Sequence, residues 1–559
     1  MRRNQVLVTV ALVFLPAAGL LPARTASAQT DGVLQVDDDI HHFLFRQQTT
    51  GLLDFAFLTS QPLAAHVARA MLDSLATRRE RLSFTDQRIL DKLRGAATWR
   101  TTGAIRDRVP FVYANGVDFF SSSGDGYRFQ LNPLLNARVG RAWLSGRGDG
   151  DERVPVWQST RGVRASGSFL DAVFFEARVE ENQRRVVDAR YDPDRKTAPR
   201  LGKANFDADR NVLDYLVATG VVGYRSRFVE VRFGRDRNRW GPAVGAIGLS
   251  NFATVFDQLQ IRTTFGPVQY TNVFASLATG RVQESDSVIP KKYASMHRLS
   301  VQLPYRVELA LYESVIFATD SLGARKSFDI AYLNPVIFLR AVEADRGSPD
   351  NVLLGGSASW VAYPGYRVYA GILLDELRVS QIGKSWWANK WAVQWGAHFV
   401  PHPSVDIRAE YTRLRPYLYA HREPLNAMVH YDDGLGHPAG PNAIDLLVAL
   451  NARASDRLSA AITFYQTVRG RDSTGTNFGA DPRLPNGTRT SDEGVDILQG
   501  VRQRERFVEV LVSYEFLPRL YGDVSVAYVE IDDAVAGLDR YVRPFVGLRW
   551  GLVPLSDRY

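Results

Sequence analysis

The sequence has no cysteine among its 559 residues. A chain without cysteine has no disulfide framework, no thiol nucleophile and no cysteine-based metal site, and it cannot carry the diacylglycerol group of a lipoprotein. A large charge excess is also missing, since 68 Lys and Arg residues stand against 60 Asp and Glu residues. So small an excess over this length is weak evidence for nucleic-acid binding.

Beyond the N-terminus the sequence lacks any run of 18 apolar residues, which disfavours a helical membrane span. The N-terminus itself differs, because Arg2 and Arg3 precede the run VLVTVALVFLPAAGLL and a small-residue Ala-Ser-Ala that ends at Ala28. A basic start, an apolar centre and a small-residue cleavage site describe a secretory signal peptide. We therefore expect residues 1–28 to be cleaved near Ala28, and secretion further disfavours a nucleic-acid partner.

Apolar residues before residue 94 recur at helical intervals. Pro62 opens one such segment, and Ser83 with Asp86 three residues later has the pattern of a helix N-terminus. The apolar residues after Pro62 are Ala64, Val67, Ala68, Met71 and Leu75. Carboxylates at residues 37–39 precede a third apolar segment, IHHFLF. These patterns predict three short amphipathic helices within a small helical segment at residues 29–105.

After about residue 106 the apolar period changes to two. In VFFEARVE (residues 173–180), Val173 and Phe175 lie on one face, and Glu176 and Arg178 lie on the other. The segments RLSVQL, RVELALY, VDIRAEYTR and RFVEVLVSYEF repeat this alternation. Many such segments separated by polar turns predict a large antiparallel all-β structure.

Two architectures fit this alternation, a soluble β-sandwich or propeller and a transmembrane barrel. No repeat of fixed period is present, which argues against a propeller. The signal peptide, the 11% aromatic content and an aromatic residue, Tyr559, after the last strand pattern favour a barrel at residues 106–559. The long charged segments at residues 145–155 and 471–496 are then expected to be extracellular loops.

Several motifs occur in a fixed order after residue 105. GRDRNRWGPAVGAIGLSN (residues 234–251) leads from a Trp-Gly-Pro to a Leu-Ser-Asn, and YAHREPLNAMVHYDDGLGHPAGPNAIDL (residues 419–446) joins a Tyr-x-His to a Gly-His-Pro-x-Gly. HRLSVQLPYRVELALYESVIF (residues 297–317) and YRVYAGILLDEL (residues 366–377) lie between them. Together these segments resemble the capsule assembly Wzi family.

The resemblance implies an outer-membrane β-barrel of about 18 antiparallel strands with a small α-helical segment on its periplasmic side. About 450 residues over 18 strands leave roughly 25 for each strand and connection, which fits strands of ~9 to 11 residues with loops. The resemblance also implies a lectin-like function, the attachment or assembly of capsular or extracellular polysaccharide at the cell surface. Outer-membrane lipid and the polysaccharide export machinery are the further partners that it suggests.

The stretch after residue 235 lies between two strand patterns, FVEVRFG (residues 228–234) and DQLQIRTTF (residues 257–265). If these are adjacent barrel strands, the Gly-rich stretch between them is a loop that can fold over the pore. Aromatic faces suit the apolar side of a pyranose, and guanidinium groups suit acidic sugars. The glycan-binding candidates in this stretch are Arg235, Arg237, Arg239 and Trp240. The alternative is that the tryptophan packs inside the loop and the arginines pair with lumenal carboxylates.

Two other segments supply the remaining glycan-binding candidates. These are Trp386, Trp387, His421 and His437. WWANKW (residues 386–391) is either a stacking platform for sugars or an interfacial anchor of a barrel strand. The two histidines lie in family-like segments, where a structural hydrogen-bonding role is the alternative to ligand contact.

No catalytic residue, metal site or cofactor is predicted. The acidic pairs available for glycoside hydrolysis, which needs two carboxylates, are Asp375 with Glu376, Asp432 with Asp433, and Asp345 with Asp350. Balancing lumenal arginines is a commoner task for such carboxylates. His398 and His402 have the spacing of a helical zinc motif, but Pro401 and Pro403 exclude the helix. No Walker loop, nucleophile elbow or Rossmann fingerprint is present.

Two rival functions are compatible with the same barrel. A porin or polysaccharide-export channel requires an open, conducting lumen. An outer-membrane lipase or protease requires a nucleophile and a base clustered on the loops or at the barrel rim. The sequence shows no such cluster along the chain.

Overall fold

The computed structural model describes the larger part of the chain. The described residues are 32–36, 38–53, 56–95, 100–146, 152–170, 172–185, 197–198, 202–207, 209–279, 291–318, 320–321, 324–325, 330–334, 350–431 and 433–554. The predicted signal peptide and the terminal aromatic residue lie outside these ranges.

Eighteen antiparallel strands form one closed barrel. In chain order β1 to β18 they are Tyr127–Ser145, Glu152–Phe169, Val173–Arg185, Val212–Arg225, Val229–Asp236, Phe256–Phe265, Val268–Ala278, Lys291–Leu303, Val307–Ala318, Asn351–Tyr363, Tyr366–Glu376, Lys390–His402, Val405–Leu414, Ala443–Arg453, Leu458–Arg471, Val501–Leu517, Leu520–Asp533 and Gly537–Trp550. Each strand pairs with its neighbours in the sequence, and β18 pairs with β1 through Val546 and Val139. Closure leaves the barrel wall with no unpaired strand edge. The predicted fold class is confirmed.

Apolar residues of the strands face outward and polar residues face the lumen. On β5, Phe233 is 65% exposed on the outside, whereas Arg232 on the inside is 4% exposed. A soluble sheet buries its apolar face, but a membrane barrel presents that face to lipid. The buried polar face therefore decides between the two architectures that the alternation alone left open.

The two ends of the barrel differ in their connections. At one end, the turn end, successive strands are joined by only two to four residues. Exposed aromatic residues gather beside these turns, as an interfacial girdle requires, and they include Phe265, Tyr305, Tyr363 and Phe516. The opposite end, the loop end, carries the long connections, such as residues 237–255, 415–442 and 472–500.

Within the described residues, four α-helices precede the barrel. They are α1 Asp39–Thr49, α2 Ala65–Ala76, α3 Phe84–Leu93 and α4 Arg100–Arg108. The Ser83 side chain caps α3 by accepting a hydrogen bond from the Asp86 amide, as the sequence pattern predicts. The fourth helix was missed, because RTTGAIRDR has no apolar stripe. No helix within the described ranges is both long and apolar enough to cross a membrane.

The helices sit at the turn end and are anchored to it by buried charges. Arg46 of α1 is 1% exposed, forms a 2.7 Å ion pair with Asp86 of α3, and donates to the carbonyl of Pro403 in the β12–β13 turn. Lys92 of α3 forms a 2.6 Å ion pair with Glu515 of β16. These contacts fix the helical segment to the barrel at several points around the rim.

Candidate functional site

The connection between β5 and β6, residues 237–255, folds into the lumen, and we call it the inner loop. The register Asp257 to Arg235 confirms that the two flanking strands are adjacent. Inside the lumen, Arg239 and Trp240 pair as a short strand with Gln61 and Ser60 of the N-terminal segment. The inner loop therefore contacts the chain that enters from the turn end.

The inner loop also forms hydrogen bonds with the barrel wall and with a neighbouring loop. Glu410 of β13 accepts a 2.9 Å hydrogen bond from the Val244 amide and a 2.7 Å hydrogen bond from the Tyr369 hydroxyl. The Tyr419 hydroxyl donates to the Ile247 carbonyl at 2.7 Å. A glycine is required at Gly245, because a Cβ there would lie 2.6 Å from Nε2 of His437.

The four candidates of this stretch lie in three different environments. Arg235 is on the outer face of β5, where it forms a two-point ion pair with Asp257. Arg237 lines a cavity in the lumen. Arg239 and Trp240 are 3% and 2% exposed, so neither offers a surface to an external glycan in this conformation. Trp240 packs with the other side chains that fill the lumen, as the alternative from the sequence proposes.

Trp386 and Trp387, the other two tryptophan candidates, lie at the loop end, in the connection between β11 and β12. Their rings are 6.3 Å apart, and Trp387 meets the ring of Tyr417 edge-on, also at 6.3 Å. The guanidinium of Arg489 lies 3.9 Å from the centre of the Trp387 ring, and that of Arg378 lies 5.9 Å from the Trp386 ring. We call these five residues the tryptophan platform.

Backbone contacts between three loops build the tryptophan platform. The Trp387 amide donates to the Asp492 carbonyl at 3.0 Å, and Asp492 also accepts a hydrogen bond from Arg489. Arg415 donates to the Trp386 carbonyl at 3.1 Å. The arginines were not found from the sequence, because Arg489 and Trp387 are 102 residues apart and no local pattern joins them.

The two histidine candidates lie apart from each other. His421 is half-buried at the loop end, where its carbonyl accepts a hydrogen bond from the Asn486 amide at 3.2 Å. Burial lowers the pKa of His421, and the nearby Lys390 acts in the same direction. His437 is buried beneath the inner loop with its Nε2 3.9 Å from Asp445.

One of the acidic pairs has a structural partner. The ammonium of Lys390, fully buried, lies 3.1 Å from Asp375 and 2.9 Å from Glu376. The two carboxylates therefore neutralise a buried cation, which is the commoner task for such pairs. Asp345 and Asp432 lie outside the described residues.

Comparisons with known proteins agree with this architecture. A family model described as capsule assembly protein Wzi matches residues 158–540, more than half of the chain. A solved structure of Wzi, described as an outer membrane protein involved in group 1 capsule assembly in Escherichia coli and a carbohydrate-binding β-barrel, is similar with 11% identity and a TM-score of 0.53. The similarity covers 94% of this chain and 100% of that one.

Two further barrels are similar at lower scores. OccK8 (OprE) of Pseudomonas aeruginosa has 11% identity, a TM-score of 0.40, and coverage of 75% of this chain and 97% of its own. OccAB2 of Acinetobacter baumannii has 9% identity, a TM-score of 0.42, and coverage of 75% and 98%. A search of curated proteins found no match. The family match over residues 158–540, carried on a closed barrel of 18 strands, shows that this chain belongs to the capsule assembly Wzi family.

Proposed function

We propose that this protein is a noncatalytic, lectin-like protein of the bacterial outer membrane that attaches capsular or extracellular polysaccharide to the cell surface. Family membership supports a role in capsule assembly, and the outward apolar face of the barrel supports lipid as its surroundings. In this orientation the loop end is extracellular and the turn end faces the periplasm. The helical segment at the turn end is then the surface open to export machinery.

The tryptophan platform is the observation that carries the proposal. It places indole faces beside two guanidinium groups on the proposed outer surface. A pyranose stacks its apolar face on an aromatic ring, and its hydroxyl or carboxylate groups accept hydrogen bonds from a guanidinium. Repeating units of a long glycan bring many such weak contacts into one attachment, so avidity supplies the strength.

Arg239, Trp240 and His437 have a different part in this proposal. They hold the inner loop in the lumen and so support the loops above it. Trp386 and Trp387 are the proposed glycan contacts, and the His421 carbonyl contributes by accepting a hydrogen bond from the Asn486 amide in the loop that also carries Arg489. Arg235 on the outer face of β5 and Arg237 at the lumenal cavity both lie outside the platform.

The main rival is a porin or polysaccharide-export channel. The lumen contains the inner loop, the N-terminal segment and a buried apolar cluster, which together favour a closed barrel over an open one. Reconstitution into planar lipid bilayers distinguishes the two functions. Attachment predicts little ion conductance, whereas stable open-channel currents from the wild-type protein would favour the channel.

The first test of attachment is the distribution of polysaccharide between washed cells and medium. A deletion strain should make the same total polymer but release it, and complementation should return it to the cells. Complementation with Trp387→Ala or Arg489→Ala should restore a folded barrel to the cells but should not restore the retention of polysaccharide on them. Arg79→Ala, an exposed change on the helical segment, is the matched control and should retain polymer normally. Normal retention in the deletion strain would refute attachment of that polymer.

A further inference from the structure

Among the described residues, the lumen is filled more closely on one side than on the other. Next to β7 through β14, the inner loop and the wall form a continuous apolar cluster, which we call the packed half; it includes Trp240, Leu249, Met296, Leu373 and Leu418. Next to β1 through β5 and β16 through β18 a cavity of about 180 Å³ remains, which we call the lumenal cavity. That volume holds on the order of a dozen water molecules, enough for a solute as large as a sugar residue.

One wall of the lumenal cavity is largely apolar, in contrast to the polar wall beside it. Tyr215, Val217 and Val221 of β4 face the cavity, although the outward residues of the same strand, such as Leu216, are also apolar. Val255 at the end of the inner loop extends this wall. Water makes no favourable contact with an apolar wall, whereas a solute with an apolar face is stabilised when that face packs against the wall.

The wall beside it carries planar hydrogen-bonding groups that are already oriented. The Thr160 hydroxyl donates to the Asn182 side-chain oxygen at 2.8 Å, and Arg138 donates to the side-chain oxygen of Gln158 at 2.9 Å. Arg178 is held by Glu180. Amide, carboxylate and guanidinium groups fixed in this way offer donors and acceptors to a ring of hydroxyl groups.

The charges of the lumenal cavity are close to balanced. Among the described residues that line it, five are carboxylates and four are guanidinium groups. Arg549 pairs with Asp523 at 2.7 Å, and Arg178 pairs with Glu180. A site for phosphate or a polyanion needs an excess of positive charge, and this cavity has none, so an uncharged ligand fits it better.

The way into the lumenal cavity is on the turn end. A second cavity of about 70 Å³ shares Gln35, Leu552 and Val553 with it and is also lined by Pro518 and Arg519 of the β16–β17 turn. On the opposite side of the cavity, Val255 of the inner loop belongs to a small apolar cluster with Leu213, which lies near the loop end of β4. A solute would therefore arrive from the turn end, which is periplasmic in the orientation proposed above.

We infer that the lumenal cavity is a binding site for an uncharged sugar, as a free saccharide or as the uncharged end of a glycan chain, entered from the turn end. An apolar wall beside fixed planar polar groups matches the two kinds of surface that a pyranose has. The site goes beyond attachment at the outer surface, because it is separate from the tryptophan platform and does not need the platform to function.

Ligand-observed NMR on the full-length protein tests the site. The protein is kept in a detergent without a sugar head group, and the probes are glucose, galactose, mannose, rhamnose and maltose, with glucuronate as the charged comparison. At least one uncharged probe should bind, and more tightly than glucuronate. Asn182→Leu should weaken its binding about tenfold, because the sugar hydroxyl would lose its partner.

Three controls separate this site from the platform and from misfolding. Trp387→Ala should leave binding of the probe unchanged, whereas Thr160→Val, which keeps the shape of the side chain, should weaken it as Asn182→Leu does. A change of gel migration on heating checks that each variant has a folded barrel. Failure of every uncharged probe to bind at tens of millimolar, or binding that only Trp387→Ala weakens, would overturn the inference. If polymer is no longer retained on the cells but the probe still binds, the platform alone has failed. Neither this site nor the barrel is then contradicted.

Discussion

The two halves of the lumen lie inside the same barrel but are filled differently. The packed half buries Trp240 and its apolar neighbours against the strands, so it is a core in the ordinary sense. The half with the lumenal cavity keeps charged and amide side chains facing open space. The difference teaches that strand alternation does not by itself decide whether a lumen is open, because in one half the wall turns apolar residues such as Leu373 inward against the inserted loop, and in the other half it keeps polar residues there.

The N-terminal segment crosses this division. The Gly241 amide donates to the Thr59 carbonyl at 2.8 Å in the packed half, and the Val33 amide donates to Glu176 at 3.1 Å beside the lumenal cavity. The same short stretch of chain therefore contributes to both halves. Substitutions in the two halves can therefore be compared with each other, since the same N-terminal segment supports both.

The largest effect is expected from Trp240→Ala in the packed half. Removing a fully buried indole leaves a cavity and should lower the free energy of unfolding by about 3 to 5 kcal/mol. Trp387→Ala at the loop end, where the ring is half-buried, is the matched control and should cost less. Urea unfolding of both variants in the same detergent measures the difference, and equal losses would show that the packed half is not a core.

Asp86→Ala should release the helical segment from the turn end of the barrel. It leaves Arg46 buried without its 2.7 Å partner, and loss of one member of a buried ion pair costs about 3 kcal/mol. Asp91→Ala removes the partner of Arg79 at an exposed site, where solvent screens the ion pair, and should cost much less. Limited proteolysis near the helices reports the release, which should be faster for Asp86→Ala alone.

Gly245→Ala tests how tightly the inner loop fits the packed half. The new methyl group would lie 2.6 Å from the buried His437 ring, and overpacking of this kind costs about 1 to 3 kcal/mol. Gly487→Ala is the control, because a Cβ there meets no atom within 4 Å. A shifted unfolding midpoint is expected for the first variant only. If both variants unfold like the wild type, the inner loop is held less closely than its contacts indicate.

The smallest effect concerns pH and His66 of α2, which lies 3.8 Å from Glu230 on β5. Burial lowers the pKa of His66 to about 4, below its ordinary value of 6.5, although Glu230 opposes the shift. The neutral ring is favoured in the folded state, so its contribution to stability is complete above pH 6.5 and is lost as the pH falls toward 4. His66→Gln should reduce the slope of unfolding free energy against pH in this window. An unchanged slope would show that His66 is not the titrating group.

Local patterns predicted the barrel because its strands follow a simple rule. Alternation puts Val231 outside and Arg232 inside whatever the neighbouring strand is, since side chains of a strand point to opposite faces. The helices at α1 to α3 were predicted for a similar reason, through caps and apolar spacing. Helix α4 has neither signal, and its existence depends on its surroundings.

The candidate residues were predicted far less well, because their roles depend on distant partners. Trp240 and Trp387 look alike in the sequence, each near a basic residue and a glycine or asparagine. Only the fold separates them, since Trp240 meets Ser60 inside the lumen and Trp387 meets Arg489 at the loop end.

The sequence by itself determined the strand alternation, the short helices and the order of family motifs, because each is written in neighbouring residues. The tertiary structure decided which half of the lumen is filled, where the inner loop rests, and which arginines reach a tryptophan. These outcomes follow from closing 18 strands into a ring, which brings together side chains that are hundreds of residues apart, such as Glu176 and Arg549 at the lumenal cavity. No local pattern encodes such distances.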